Sequence, residues 1–534
     1  MSLTLFTNGR LAQGSSLTSF SIDNDAVIAE HGKILAVGQT DELKLQLSGR
    51  RYRTVDWEGA YVLPGLTDSH MHLSMHGMKL GMLDFTRATS KAEMLEMLRE
   101  RAQITPPGEW ILGLNWNENA FQPAIAPDIH ELDAVTDRHP VFLTRTCFHA
   151  FLGNSEAFRR AGIGENTTDP VSGAYGRDEH GRLNGWVYEE ASLPFNQAQP
   201  EPEYAVKKAC IKRACEDALR LGLTAAHTED LRFLGSVETM LRIYKELREE
   251  GLAFRTHQLI YYPFLEEAQK MGLRAGSIDE WLAIGAVKLF ADGAIGGRTA
   301  LLRKPYHDAP GTKGMAILSQ EKLNDITQGA RRAGFPIAVH SIGDGAADMV
   351  LTSMETNRLD SHARLPDRFI HAQVLDEELV ARMSRLRVAA DIQPRFVASD
   401  FPWVLERLGP DRTDYLYAWR KLLDAGIACA GGSDAPIEPL DPFLGIHAAV
   451  TRRKLEETHD GYLPEEKLDI REALRLFTSG SAAAAGETDQ RGLISEGYAA
   501  DFTVVEQNIF EVAPDSLPKQ KVLMTVVNGR VAYQ

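Results

Sequence analysis

The sequence predicts an α/β protein: a (β/α)8 TIM barrel, a small β-sandwich formed by both termini, and a large insert after the first barrel strand. Three observations carry this reading. Short apolar or β-branched runs alternate with helical stretches such as "LNDITQGARRAG" (323–334), as expected for parallel strands joined by crossover helices. The two ends carry matching β-prone runs, "LTLFTNGR" (3–10) and "LMTVVNGR" (523–530), each closing on Asn-Gly, a hairpin-turn signal. The first two strand runs are separated by about 150 residues, far more than an ordinary loop.

In chain order, residues 1–60 and 485–534 form the two parts of the sandwich, to which "AVIAEHGKILAVG" (26–38) and "ADFTVVEQ" (500–507) contribute further strands. Chance repetition of an Asn-Gly turn is the competing reading, because that dipeptide is common in turns. Residues 61–484 hold the barrel. Its eight strand candidates are "YVLPGLTDSHMHL" (61–73), "LTAAHTED" (223–230), "RTHQLIYY" (255–262), "AVKLFADG" (286–293), "PIAVHSIG" (336–343), "RFIHAQV" (368–374), "VAADIQPRF" (388–396) and "IACAGGSDAP" (427–436). The inserted subdomain, about 74–220, carries aromatic and polar stretches such as "GLNWNENAF" and "VFLTRTCFHAFLGNS".

Composition removes several function classes. The 534 residues are too many for one simple core. An excess of 74 acidic over 58 basic residues gives a net charge of −16, which argues against nucleic acid and anionic membranes as partners. Cys147, Cys210, Cys215 and Cys429 are too sparse for a disulfide framework and contain no C-x-x-C, which fits a reducing, cytoplasmic setting. No signal peptide or membrane-spanning run is expected.

Ionisable groups stand at the ends of several strands. His70 and His72 are two apart, so on a strand they project from one face and are placed to share a metal. Lys288, His340, His371 and Asp434 end or sit within the fourth, fifth, sixth and eighth strands. Each has a bland alternative: hydrogen-bonded core histidines, a barrel-mouth ion pair for Lys288, a turn former or helix cap for Asp434. Their joint occurrence at strand ends, which converge on one face of a barrel, is what the bland readings fail to explain.

The stretches "LPGLTDSHMHL", "NWNEN", "GNSEAFRRAGI", "VKLFADGAIGGRTALL", "AVHSIGDGAAD", "IHAQ", "IQPRFVASDFPW" and "GGSDAPIEPLDPF" resemble the amidohydrolase superfamily of metal-dependent hydrolases, and within it the YtcJ-like amidohydrolases, which include N-substituted formamide deformylases. The resemblance runs essentially end to end. It departs at Ile370-His371-Ala372, where relatives often have Glu-His-Ala, and at "TCFHA" in the insert. It implies a metal site of His70, His72, Lys288, His340, His371 and Asp434. Neutral imidazole and carboxylate donors suit one or two Zn²⁺ ions, with Fe or Mn as alternatives. An ammonium has no lone pair to offer. In this superfamily CO₂ adds to such a lysine, so Lys288 is expected to be N6-carboxylated and to bridge two metals ~3.5–4 Å apart.

The chemistry that follows is hydrolysis of a non-peptide C–N bond in a small amide, N-substituted formamide or cyclic amide. Water is deprotonated near neutral pH, Asp434 takes its proton as catalytic base, and the proton then passes to the leaving nitrogen. Alternatives are an esterase, lactonase or phosphotriesterase on the same scaffold, or a non-catalytic scaffold protein. For substrate contacts the insert offers Trp116 as an apolar wall, Asn115 and Asn117 as hydrogen-bonding groups, and Arg145 and His149 for a carbonyl or carboxylate; Arg298 follows the lysine strand. Packing for Trp116 and an ion pair for Arg145 are the competing readings. The expected partner is a small amide-type molecule, and the expected assembly a homodimer.

Overall fold

The computed structural model describes residues 3–16, 19–21, 23–146 and 149–534, with backbone alone for 15, 16 and 19–21. Cys147 lies outside the described residues. Eight parallel strands follow one another around a nearly closed barrel: β1 (Leu66–Met71), β2 (Leu223–Thr228), β3 (Arg255–Tyr261), β4 (Leu282–Phe290), β5 (Ile337–Ser341), β6 (Asp367–His371), β7 (Val388–Ile392) and β8 (Ala428–Gly431). Each strand pairs with its neighbour in sequence, as right-handed βα crossovers require. Several crossover helices start at side-chain caps. Ser236 caps Val237–Glu249, and Ser319 caps Gln320–Arg332, which begins a turn earlier than its apolar pattern suggests.

The run 61–73, read as one barrel strand, is two. Tyr61–Pro64 pairs with Phe502–Val505, outside the barrel, and β1 begins after Gly65. The reason is close approach. A Cβ on Gly65 would stand 2.6 Å from Thr224 Oγ1 and 2.8 Å from Asp501 Cβ, so only glycine lets the chain pass between β2 and the C-terminal segment.

The termini form two sheets. One has four strands, in the order Lys33–Gly38, Ala26–Glu30, Leu3–Thr7, Arg53–Asp56; the other has five, in the order Arg10–Leu11, Tyr61–Pro64, Phe502–Val505, Val522–Val527, Arg530–Tyr533. Phe6, Trp57 and Phe502 lock both ends of the chain into one core, with ring centroids 5.2 Å apart for Phe6–Trp57 and 5.5 Å apart for the other two pairs. The two Asn-Gly turns differ. Asn528-Gly529 makes a hairpin, whereas Asn8-Gly9 carries the chain from the first sheet to the second.

Residues 77–210 form a separate compact unit around a six-stranded sheet, in the order Leu83–Asp84, Ile111–Trp116, Val141–Arg145, Ala150–Gly153, Leu183–Glu189, Gly173–Arg177. Among the described residues no helix is long and apolar enough to cross a membrane. Cys210, Cys215 and Cys429 are buried thiols.

The barrel interior holds an apolar layer of Leu259, Ala286, Ala338 and Ile370. Two residues before Ile370, Arg368 points to the same face and forks onto Asp391, with Nε–Oδ2 and Nη2–Oδ1 both 2.7 Å, while Nη2 also donates to the Ser69 carbonyl at 2.5 Å. Both partners are fully buried, so removing one strands a charge. Asp391→Ala is expected to destabilise the barrel by about 3–5 kcal/mol, read as a fall in the thermal unfolding midpoint. Arg368→Met combined with Asp391→Leu should recover most of that loss. Equal loss in the single and double variants would mean that the side-chain volumes, not the charges, matter.

Candidate metal centre

Strand periodicity decides which side chains meet. Lys288 and His340 lie two residues beyond Ala286 and Ala338, so they project to the same interior face, one layer nearer the carboxyl ends of the strands. His70 lies within β1, His72 just past it, His371 at the last position of β6, and Asp434 just beyond β8. His70 Nε2 and His72 Nε2 stand 3.5 Å and 3.3 Å from Asp434 Oδ1. Lys288 Nζ is 3.3 Å from His70 Nε2, and the His70 and His371 rings are 5.7 Å apart. His371 Nε2 faces His340 Nδ1 at 2.9 Å. The structure thus gathers the strand-end residues singled out in the sequence into one cluster, buried except at partly exposed His340. His70, His72 and Asp434 within it place their donor atoms closely enough to share a metal ion.

Hydrogen bonds on the far side of the His72, His340 and His371 rings fix which nitrogen faces the cluster. His340 Nε2 is 3.0 Å from the Gly293 carbonyl, which only accepts, so Nε2 carries the proton and Nδ1 is bare. Gln393 donates its amide to the Asp391 carbonyl at 3.2 Å, which turns Oε1 toward His371 Nδ1 at 2.7 Å and leaves His371 Nε2 bare. Burial favours the neutral form of both rings: it pushes His340 well below the ordinary histidine value and His371 down to about 4. These two nitrogens stand 2.9 Å apart, a spacing that a shared proton or a bound cation would satisfy. His72 Nδ1 donates to the Glu229 carbonyl at 3.0 Å, so its Nε2 also faces the cluster as a donor atom or, when protonated, as a partner for Asp434.

Burial alone would raise Asp434, but hydrogen bonding to His72 and the nearby His371 and Lys288 hold it below the ordinary aspartate value. Burial pushes the Lys288 ammonium down to about 7. No carboxylate pairs with Lys288 among the described residues; its cationic end instead lies 4.8 Å from the centre of the Phe290 ring. Left-handed backbone at His371 (φ 82°), Ala372 (φ 49°) and Asp434 (φ 56°) is sparsely populated by residues with a Cβ, costs about 1–3 kcal/mol each, and concentrates at these strand exits.

The expected substrate contacts fare differently. Trp116 is not a pocket wall: it is fully buried in the insert's own core, with Nε1 donating to the Leu143 carbonyl at 3.0 Å. Arg145 forks onto Glu118 at 2.8 Å and 3.0 Å, and Asn117 caps the short helix Glu118–Ala120. Asn115 donates to Asp84 at 3.0 Å, and exposed His149 pairs with Glu189 at 2.9 Å. Arg298 spends its fork on Asp308, at 3.1 Å and 2.7 Å. Each polar group here meets an intramolecular partner that spacing alone does not reveal.

Sequence reasoning also passed over the supports. Gln393 lies at the seventh strand exit, the position that marked the other candidates, but as an amide it drew no notice. Buried Asp292, just after β4, accepts from the Ile342, Gly343 and Leu301 amides at 3.0, 2.8 and 2.8 Å and so pins the loop after β4 to the exit of β5. Burial raises its carboxyl to about 7.

Comparison with known proteins agrees with this architecture. The family model described as "Amidohydrolase family" matches residues 53–533. The chain is 40% identical to the Bacillus subtilis (strain 168) protein YtcJ over 513 residues, covering 96% of each chain. It is 27% identical to an N-substituted formamide deformylase of Arthrobacter pascens over 530 residues, covering 95% of each. A solved structure of an uncharacterized metal-dependent hydrolase from Pyrococcus horikoshii OT3 superposes with a TM-score of 0.78 at 30% identity, covering 96% of this chain and 99% of that one. The chain belongs to the amidohydrolase family.

Proposed function

We propose that this amidohydrolase cleaves a non-peptide C–N bond in a small amide, an N-substituted formamide or a cyclic amide, using zinc held by His70, His72 and Asp434 and by His340, His371 and the N6-carboxylated form of Lys288. The observation that carries the reading is the orientation of the donors: the outer nitrogens of His72, His340 and His371 are committed to carbonyl oxygens, so their inner nitrogens face the cluster. Nitrogen and carboxylate oxygen donors suit zinc. The Arthrobacter relative, an N-substituted formamide deformylase by name, supports the C–N bond as the target. A divalent metal at this position supplies Lewis acidity, polarising a carbonyl and bringing the pKa of a water toward neutrality.

The chain's own residues handle the proton. Asp434, kept ionised by its hydrogen bond to His72, accepts a proton from the attacking water. It then delivers that proton to the departing nitrogen, so that the amine leaves neutral. Lys288 is suited to carboxylation because it is buried and no carboxylate neutralises it. The ammonium first gives up one proton, and the free amine then takes up CO₂ and releases a second, which together exchange a cation for an anionic oxygen donor. An ammonium beside a cation is unfavourable: even two unit charges 4 Å apart cost ~4 kcal/mol at an effective dielectric constant of ~20.

Protein purified without chelator should contain about one to two equivalents of zinc by elemental analysis. Stripping the metal should abolish amide hydrolysis, and reloading should restore it; hydrolysis by verified metal-free protein would contradict the proposal. Asp434→Asn should lower kcat by about 10²–10⁴-fold, because the amide keeps the shape but takes no proton. A near-normal rate would move the base elsewhere. Lys288→Ala should lose activity and part of the metal, with partial rescue by acetate or propionate, whereas Lys288→Arg should not be rescued. Full metal content in Lys288→Ala would exclude the carboxylated lysine as a ligand.

A further inference from the structure

Arg232 stands at the strand exits with the end of its guanidinium fork open among the described residues. It lies in the short helix Leu231–Leu234 after β2, and its side chain is 42% exposed. Three contacts fix it. Nε donates to Glu229 Oε2 at 2.7 Å, while the guanidinium lies 4.7 Å from the Phe290 ring centre and 5.7 Å from that of Tyr261. The Glu229 side chain is itself fully buried, and its other oxygen accepts the Arg232 amide at 3.2 Å, so the anchor is rigid. Nη1 and Nη2 form no hydrogen bond among the described residues, in contrast to Arg145 and Arg298, whose forks are closed by Glu118 and Asp308.

Phe290 links this fork to the reacting centre. The ring that Arg232 covers also lies 4.8 Å from Lys288 Nζ and 5.4 Å from the His340 ring centre. Arg232 is therefore one aromatic side chain away from the candidate metal ligands. A guanidinium held by Nε and by a ring keeps its terminal N–H pair pre-organised, which lowers the entropy lost on binding a planar, two-oxygen anion. Carboxylate has that geometry. The neighbouring Phe290 and Tyr261 offer apolar surface to the part of a molecule that joins the carboxylate to its scissile bond.

We infer that the substrate carries a carboxylate, which Arg232 binds while the amide or formamide carbonyl sits at the metal cluster. This rests on the C–N hydrolase reading above and narrows it to acidic amides. Arg232 is then a specificity-determining residue, and Glu229 a positioning residue that links it to His72 through its own backbone carbonyl.

The test compares N-formylphenylalanine with N-formylphenethylamine, which is the same molecule without its carboxylate, on metal-replete enzyme. The wild type should favour the acid by about tenfold to a hundredfold in kcat/KM. Arg232→Met should collapse that ratio toward one, and Arg232→Lys should keep part of it. The ratio is insensitive to general damage at the metal cluster, which lowers both rates together. In parallel, calorimetry with N-methylsulfonylphenylalanine and N-methylsulfonylphenethylamine, whose sulfonamides resist hydrolysis, reads binding alone. Tighter binding of the acid that disappears in Arg232→Met supports the inference even if neither formamide is turned over, the outcome that would overturn the C–N reading by itself. Equal binding of both sulfonamides, or a preference for the acid that survives Arg232→Met, overturns the role of Arg232.

Discussion

The site depends on the seam between β1 and β8. The Asp434 amide donates to the His70 carbonyl at 2.7 Å, and the His72 amide donates to the Ala435 carbonyl at 2.9 Å. Asp68 adds a side-chain clamp, accepting the His70 amide with one oxygen and the Ser433 amide with the other, both at 3.0 Å. Burial raises the Asp68 carboxyl to about 7, opposed by these same hydrogen bonds. Gly432 makes the close approach possible, since a Cβ there would stand 2.6 Å from the His70 amide nitrogen. Backbone bonds thus fix His70, His72 and Asp434 relative to one another, without depending on the rotamers of long side chains.

Much of this was legible in the sequence because the physics is local. Period-two geometry put His70 and His72 on one face, and strand exits are where a parallel barrel gathers its side chains, so Lys288, His340, His371 and Asp434 could be named from position alone. The strand runs were recognisable for the same reason. The division at Gly65 was not, because the run 61–73 is uniformly β-prone and only a three-dimensional neighbour, Thr224 or Asp501, demands the glycine. Asn8-Gly9 misled in the same way: the dipeptide signals a turn, but which sheet the chain enters next depends on what Arg10 pairs with, here Tyr61.

Polar side chains outside the strand exits were the least legible. A free arginine and a paired one look identical as letters. Arg145 and Arg298 stood near suggestive motifs, yet each found a carboxylate at a distance no spacing rule encodes, Glu118 27 residues before Arg145 and Asp308 ten residues after Arg298. Arg232 stands three residues after Glu229, a spacing that gives no sign of an open fork. The structure shows that pairing uses only Nε. Trp116 illustrates the reverse error, in which an aromatic residue between polar neighbours reads as a contact surface but fills the insert's own core.

The central claim is that the strand-end histidines, Asp434 and Lys288 hold a metal together. Anomalous diffraction at the zinc edge, from crystals of zinc-loaded protein grown with bicarbonate, tests it most directly. The account predicts a peak inside the cluster, with histidine nitrogens and an Asp434 oxygen at ~2.0–2.2 Å from it and density for a carboxylated Lys288. A peak elsewhere, or an unmodified Lys288 beside a His340–His371 pair still in direct contact, would contradict it.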